Sequence, residues 1–238
     1  MRMATTAGNA GAHLSAPTSA RAGWQEFSPL FPDEQECLAS FLALECAEVL
    51  AGAKPANILS LADKPRPCGR NLYRLWQKHG AELLSKSDLS ARVLADRGSS
   101  ILIIFFRPDT LAGLLQRRDV ATVLGKAGYP ATQDPDQALG ILQSRMTGGE
   151  FPHEVGVFLG YPLKDVVGFM GWGKPRFTCQ GPWKIYGDPT PSLQLAETHR
   201  ACRCLMSSRL AAGCSPLDCL HGCQFQEHLE NRFSRLAA

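Results

Sequence analysis

The sequence predicts an α/β fold: a single-domain sandwich in which a mixed sheet is flanked by helices, with a disordered leader before it and a cysteine-rich extension after it. Three observations predict this. Apolar residues recur at helical spacing over several long stretches, and short β-branched and aromatic runs bounded by turn residues stand between them. Two of those runs are separated only by Asp96-Arg97-Gly98-Ser99, which reads as a hairpin and makes at least part of the sheet antiparallel.

Residues 1–27 are small and polar, carry too little apolar surface to offset chain ordering, and are expected to form the disordered leader. The domain is expected over 28–210. Pro32-Asp33-Glu34 starts a helix, because proline fits the first turn and acidic side chains complement the positive end of the helix dipole. Leu38, Phe41, Leu42, Cys46, Val49 and Leu50 continue it until Gly52 and Pro55. A short buried strand follows at 57–61, then a helix at 71–79, then the hairpin strands at 91–95 and 100–106. Helices are expected at 109–116, 119–127 and 135–146, a core strand at 155–160, a helix at 162–170, a strand at 183–186 and a long helix at 189–210. Residues 211–238 form the cysteine-rich extension.

The 238 residues carry 25 Lys and Arg against 22 Asp and Glu, a formal charge of +3, which is too small to funnel nucleic acid or an anionic membrane surface. The longest apolar run, Ile101 to Phe106, falls far short of the roughly 20 residues that cross a bilayer. No secretory apolar segment is present, so a cytoplasmic location is expected, with the nine cysteines reduced. The expected partner is a small-molecule ligand, with no nucleic acid and no membrane. The P-loop, dinucleotide-binding, nucleophile-elbow, H-E-x-x-H and C-x-x-C patterns are absent, which disfavours the enzyme and redox classes that depend on them.

The stretch Phe151-Pro152-His153-Glu154-Val155-Gly156-Val157-Phe158-Leu159-Gly160-Tyr161-Pro162-Leu163-Lys164-Asp165-Val166-Val167-Gly168-Phe169 resembles the signature F-P-H-E-I-G-L-F-L-G-Y-P-L-E-D-V-x-G-F of a bacterial family of unknown function. That family's second motif, G-Y-W-K-V-Y-G-D, is similar to Gly181-Pro182-Trp183-Lys184-Ile185-Tyr186-Gly187-Asp188. A third element resembles Cys46 to Ile58, where Glu48-Val49 replaces the family's Pro-Thr pair. The resemblance implies a shared fold and a shared site, and it carries no activity. The cysteine-rich end beyond Cys202 looks like an addition to the family core.

Several residues are candidates for chemistry. His153 and Glu154 precede the expected strand; His153 is either a general base or metal ligand, or a histidine bonded to backbone at the strand's start. Gly160, Tyr161 and Asp165 lie where the strand gives way to a helix, either a ligand site built from free N–H groups or a tight turn capped by Asp165. On the strand at 183–186, Trp183 and Ile185 share one face and Lys184 and Tyr186 the other, which could grip an anionic or planar ligand or simply be a half-exposed sheet face. Cys46 is either a buried core thiol or a nucleophile paired with His153.

Cys204, Cys214, Cys219, His221 and Cys223 could hold zinc or an iron–sulfur cluster, although the cysteine spacing fits no established ligand signature. Three functions therefore stand side by side: a binding protein or enzyme for a small anionic or planar ligand or cofactor at 160–165 and 183–186; a metal or redox accessory protein with a redox partner; and a Cys46–His153 thiol enzyme.

Overall fold

The computed structural model describes residues 23–131, 134–148 and 151–221. The fold class expected from sequence holds, with helices on both faces of a sheet. Three strands, β1 (Ala56–Ala62), β2 (Ser90–Asp96) and β3 (Ser100–Phe106), pair in the order β1-β3-β2, so the most apolar strand lies in the middle. All pairings are antiparallel, with Ile58 opposite Ile104 and Val93 opposite Ile103. The mixed sheet expected above is thus an antiparallel one.

Side chains alternate across a strand, and β3 divides its apolar run between two cores. Ile101, Ile103 and Phe105 face the first, with Leu59 and Leu61 of β1; Ile104 and Phe106 face the second, with Ala56 and Leu94. The first core is covered by α1 (Glu34–Glu45), α2 (Ala47–Leu50), α3 (Leu72–Ser85) and α9 (Thr190–Ala211). The second is covered by α4 (Pro108–Leu115), α5 (Arg118–Lys126), α6 (Pro135–Met146), α7 (Val155–Phe158) and α8 (Leu163–Phe169). A separate hairpin, β4 (Phe177–Gln180) and β5 (Lys184–Tyr186), packs on α8. Among the described residues no helix is long and apolar enough to cross a membrane.

Four further expectations change. The strand at 155–160 is the helix α7, which Pro152 opens by accepting from the Val155 N–H and which Gly160 closes at φ 71°. A four-residue apolar run buried on every side has no periodicity to distinguish strand from helix. The single helix expected from Pro32 to Leu50 breaks at Cys46 into α1 and α2.

The folded region also begins earlier than residue 28. Trp24 and Phe27 are buried in two 3-10 turns, and the Trp24 indole donates to Ser40 Oγ at 3.0 Å. Two aromatic anchors outweigh a composition that averages as polar; residues 1–22 lie outside the described residues. At the other end the chain does not leave the domain at 210. A 3-10 turn at Asp218–Leu220 returns Cys219 and Leu220 to the first core, and the Leu220 carbonyl accepts from the Asp88 N–H.

Candidate functional site

Asp165 stands at N3 of α8 but does not cap it. Its carboxylate, only 2% exposed, reaches across to the hairpin and to α9 and accepts four hydrogen bonds. Oδ1 accepts from Lys164 Nζ at 2.7 Å and from the Tyr186 N–H at 2.8 Å; Oδ2 accepts from Trp183 Nε1 at 2.8 Å and from the Ser192 hydroxyl at 2.5 Å. Burial alone would raise its pKa, and the four donors outweigh burial and hold the carboxyl below its ordinary value. Lys164 gives its remaining N–H groups to the Tyr186 carbonyl at 2.7 Å and Ser192 Oγ at 2.9 Å, so its three donors are used. This ion pair ties α8, β5 and the start of α9 together.

Over this base lies a cleft of about 220 Å³. Its walls are Phe151, His153, Tyr161, Phe169, Trp183 and Lys184, and Val155, Gly156 and Val166 form an apolar floor beside Asp165. Tyr161 stacks on Trp183 with centroids 4.6 Å apart, and the His153 ring meets Phe169 edge-on at 4.9 Å. The Lys184 ammonium lies 5.4 Å from the Phe169 centroid. Phe151 and Phe169 remain 56% and 44% exposed, so the apolar surface continues out to the mouth. Among the described residues neither His153 nor Lys184 forms a side-chain hydrogen bond or ion pair.

Behind the stack, Lys54 lies 5.7 Å from the Tyr161 centroid and donates to Asn57 Oδ1 at 2.8 Å, and His199 sits 6.2 Å from Trp183. Burial first, and the Lys54 charge second, push the His199 pKa down to about 4.

Of the residues singled out from sequence, His153, Tyr161, Asp165, Trp183 and Lys184 meet at this cleft. Their neighbours do not. Glu154, 4% exposed, turns away from the strand geometry assumed for it and pairs with Arg145 Nη1 at 2.8 Å, while Tyr129 donates to it at 3.3 Å. Arg145 also donates to the Ala127 carbonyl, so Glu154 closes a half-buried structural pair.

Gly160 faces Pro55 instead of a ligand; a Cβ there would lie 2.5 Å from the Pro55 ring. Tyr186 packs against Gly168 of α8 and meets Phe177 edge-on at 5.8 Å. β5 starts at Lys184, so the alternation expected to set Trp183 against Lys184 does not extend to the tryptophan, and both reach the cleft.

Cys46 is fully buried in the first core, across the sheet from the second core that underlies His153, and burial pushes its thiol well above the ordinary value. Nucleophile and base are therefore apart. Cys204 is exposed, Cys214 half-buried, Cys219 buried and His221 exposed, and Cys223 lies outside the described residues. Among the described residues no three His, Cys, Asp or Glu side chains are grouped as a metal ion needs.

Sequence reasoning passed over Phe151, Phe169 and Ser192. The two phenylalanines stand at the ends of the long motif and were visible as aromatic; Ser192, 27 residues from Asp165, carries no local signal.

The family described as "Protein of unknown function (DUF3793)" matches residues 42–220. The match runs past Cys202 to the last turn of the described fold, so the cysteine-rich segment up to residue 220 falls inside the family region. No curated protein and no solved structure matches the chain.

Proposed function

This chain belongs to the family described as protein of unknown function (DUF3793), and from that premise we propose that it binds a small planar or anionic ligand in the cleft bounded by His153, Tyr161, Trp183 and Lys184. One observation carries the reading. Two separate sequence motifs converge on a concave, aromatic-walled cavity with few polar groups at its edge, which is the usual form of a small-molecule site. The stacked Tyr161–Trp183 pair offers a flat face, and Lys184 offers a positive charge that no described carboxylate neutralises.

His153, exposed at the mouth, is the imidazole placed to exchange a hydrogen bond with a polar group of the ligand. The Asp165–Lys164 pair positions the walls and does not face the ligand as a free acid, because every strong donor and acceptor in it is engaged. A cytoplasmic setting belongs to this reading, supported by eight described cysteines that are all free thiols.

The test is a screen of planar fragments by ligand-observed NMR on the full chain, against a Phe151→Ala/Phe169→Ala double variant. Both phenylalanines are largely exposed, so the variant keeps its fold. Fragments that bind the parent and are lost in the variant support the cleft. Hits that bind both equally place the site elsewhere and overturn the reading.

A further inference from the structure

We infer that the ligand of this cleft is a planar aromatic acid, whose ring lies against the aromatic walls and whose anionic group is taken at the mouth by the Lys184 ammonium and the His153 imidazole. The inference rests on the cleft reading above and adds the sign of the charge and its place. The walls set the body of the molecule: with Phe151, Tyr161, Phe169 and Trp183 around a floor of Val155, Gly156 and Val166, only a flat apolar ring finds partners throughout. A bare inorganic anion would give up its hydration for apolar surface, which a single ammonium at the edge does not repay.

The charge follows from which groups are already neutralised. Aromatic cages that take ammonium ligands use the negative faces of their rings. Here one such face, that of Phe169, already carries Lys184 at 5.4 Å, so an incoming cation meets a like charge. Among the described residues the only carboxylate in the lining is Asp165, and its four donors, with Lys164 in direct contact, leave no unsatisfied negative charge for a ligand. Lys184 is left as the uncompensated charge. His153 contacts the same Phe169 ring at 4.9 Å, so the two donors flank one ring, and an acid group leaving the cleft beside Phe169 meets both. Neither has another hydrogen-bond partner among the described side chains to give up.

Three probes of one shape and different charge test this: 2-naphthoate, its neutral amide 2-naphthamide, and 2-naphthyltrimethylammonium, each titrated by calorimetry into the full chain. The expected result is one-to-one binding of 2-naphthoate at least tenfold tighter than the amide, with the ammonium weakest. Lys184→Met, which keeps the apolar stem on Phe169, should weaken 2-naphthoate to the level of the amide and leave the amide unchanged, while Lys184→Arg should retain the preference.

Amide or ammonium binding as tight as 2-naphthoate, or a preference that survives Lys184→Met, overturns the inference and leaves the cleft reading standing. Failure of all three probes to bind the folded chain overturns both.

Discussion

The indole of Trp183 donates to the Asp165 carboxylate at 2.8 Å, and this bond joins the two motifs that look separate in sequence. Each supplies what the other lacks. The hairpin brings a tryptophan whose N–H must be satisfied once buried, and α8 brings a carboxylate that cannot be buried without donors. The outer face of the same indole then becomes a wall of the cleft, stacked on Tyr161. A structural ion pair and a binding surface thus share one side chain.

Asp165→Asn should therefore cost more than an ordinary surface change, because it removes the charge partner of Lys164 and turns one acceptor into a donor facing donors. We expect a loss of about 2–4 kcal/mol in urea unfolding, in the range for breaking a buried pair from one side. Trp183→Phe removes one hydrogen bond and keeps a ring, so about 1 kcal/mol is expected. A loss under half that for Asp165→Asn would show that the four contacts are not formed together.

Gly160→Ala and Gly98→Ala separate backbone strain from collision. Both glycines are left-handed, at φ 71° and 73°. A Cβ at Gly98 meets nothing, so only the conformational cost of about 1–2 kcal/mol is expected. At Gly160 the same cost is joined by contact with the Pro55 ring at 2.5 Å, adding about 1–3 kcal/mol of overpacking. Chemical denaturation of the two variants side by side should rank Gly160→Ala clearly lower; equal losses would mean that α7 and the turn before β1 do not pack as described.

Much of this fold was legible. The hairpin strand at 100–106, the helices at 109–116 and 135–146, and the long last helix are local features written in periodicity and bounding turn residues. What was hidden is tertiary. Val155-Gly156-Val157-Phe158 has strand propensity and folds as a helix because all four residues are buried among α8 and the second core. Asp165 reads as a cap, and three of its four partners lie 18 to 27 residues away, beyond any local pattern. His153, Tyr161, Asp165, Trp183 and Lys184 come together because α8 and the hairpin pack on each other, whereas Glu154 and Gly160 flank a helix where a strand is expected, and Tyr186, on β5, turns to Gly168 and Phe177.

His199 makes stability depend on pH. Its ordinary value near 6.5 falls to about 4 in the fold, chiefly by burial and then by the Lys54 charge. The unfolded chain therefore binds this proton more readily, so the stability tied to the neutral ring is fully present above about pH 6.5 and is lost as pH falls toward 4. The full difference is on the order of 3 kcal/mol. Urea unfolding at pH 7, 5.5 and 4.5 should show that decline, and His199→Gln should flatten it. An unchanged slope in the variant would assign the decline to carboxylates instead.

Thiol reactivity gives the sharpest separation of sites, because the cysteines differ in both exposure and proton affinity. Burial pushes Cys46 well above the ordinary thiol value, Cys202 up to about 12 and Cys37 up to about 11, so little thiolate forms at neutral pH and no probe reaches it. Cys68 is exposed, and although the burial it has raises its pKa, hydrogen bonds from the Ser28 hydroxyl and nearby backbone N–H groups outweigh this and lower it. Timed iodoacetamide labelling read by peptide mass spectrometry should modify Cys68 before the three buried thiols by at least a hundredfold in rate. Cys46 should label only when the chain is unfolded in urea, at the rate of a free thiol. Early labelling of Cys46 in the folded chain would contradict its burial and reopen the thiol-enzyme reading, whereas its silence, with Cys68 reactive, leaves the aromatic cleft as the place to look for chemistry.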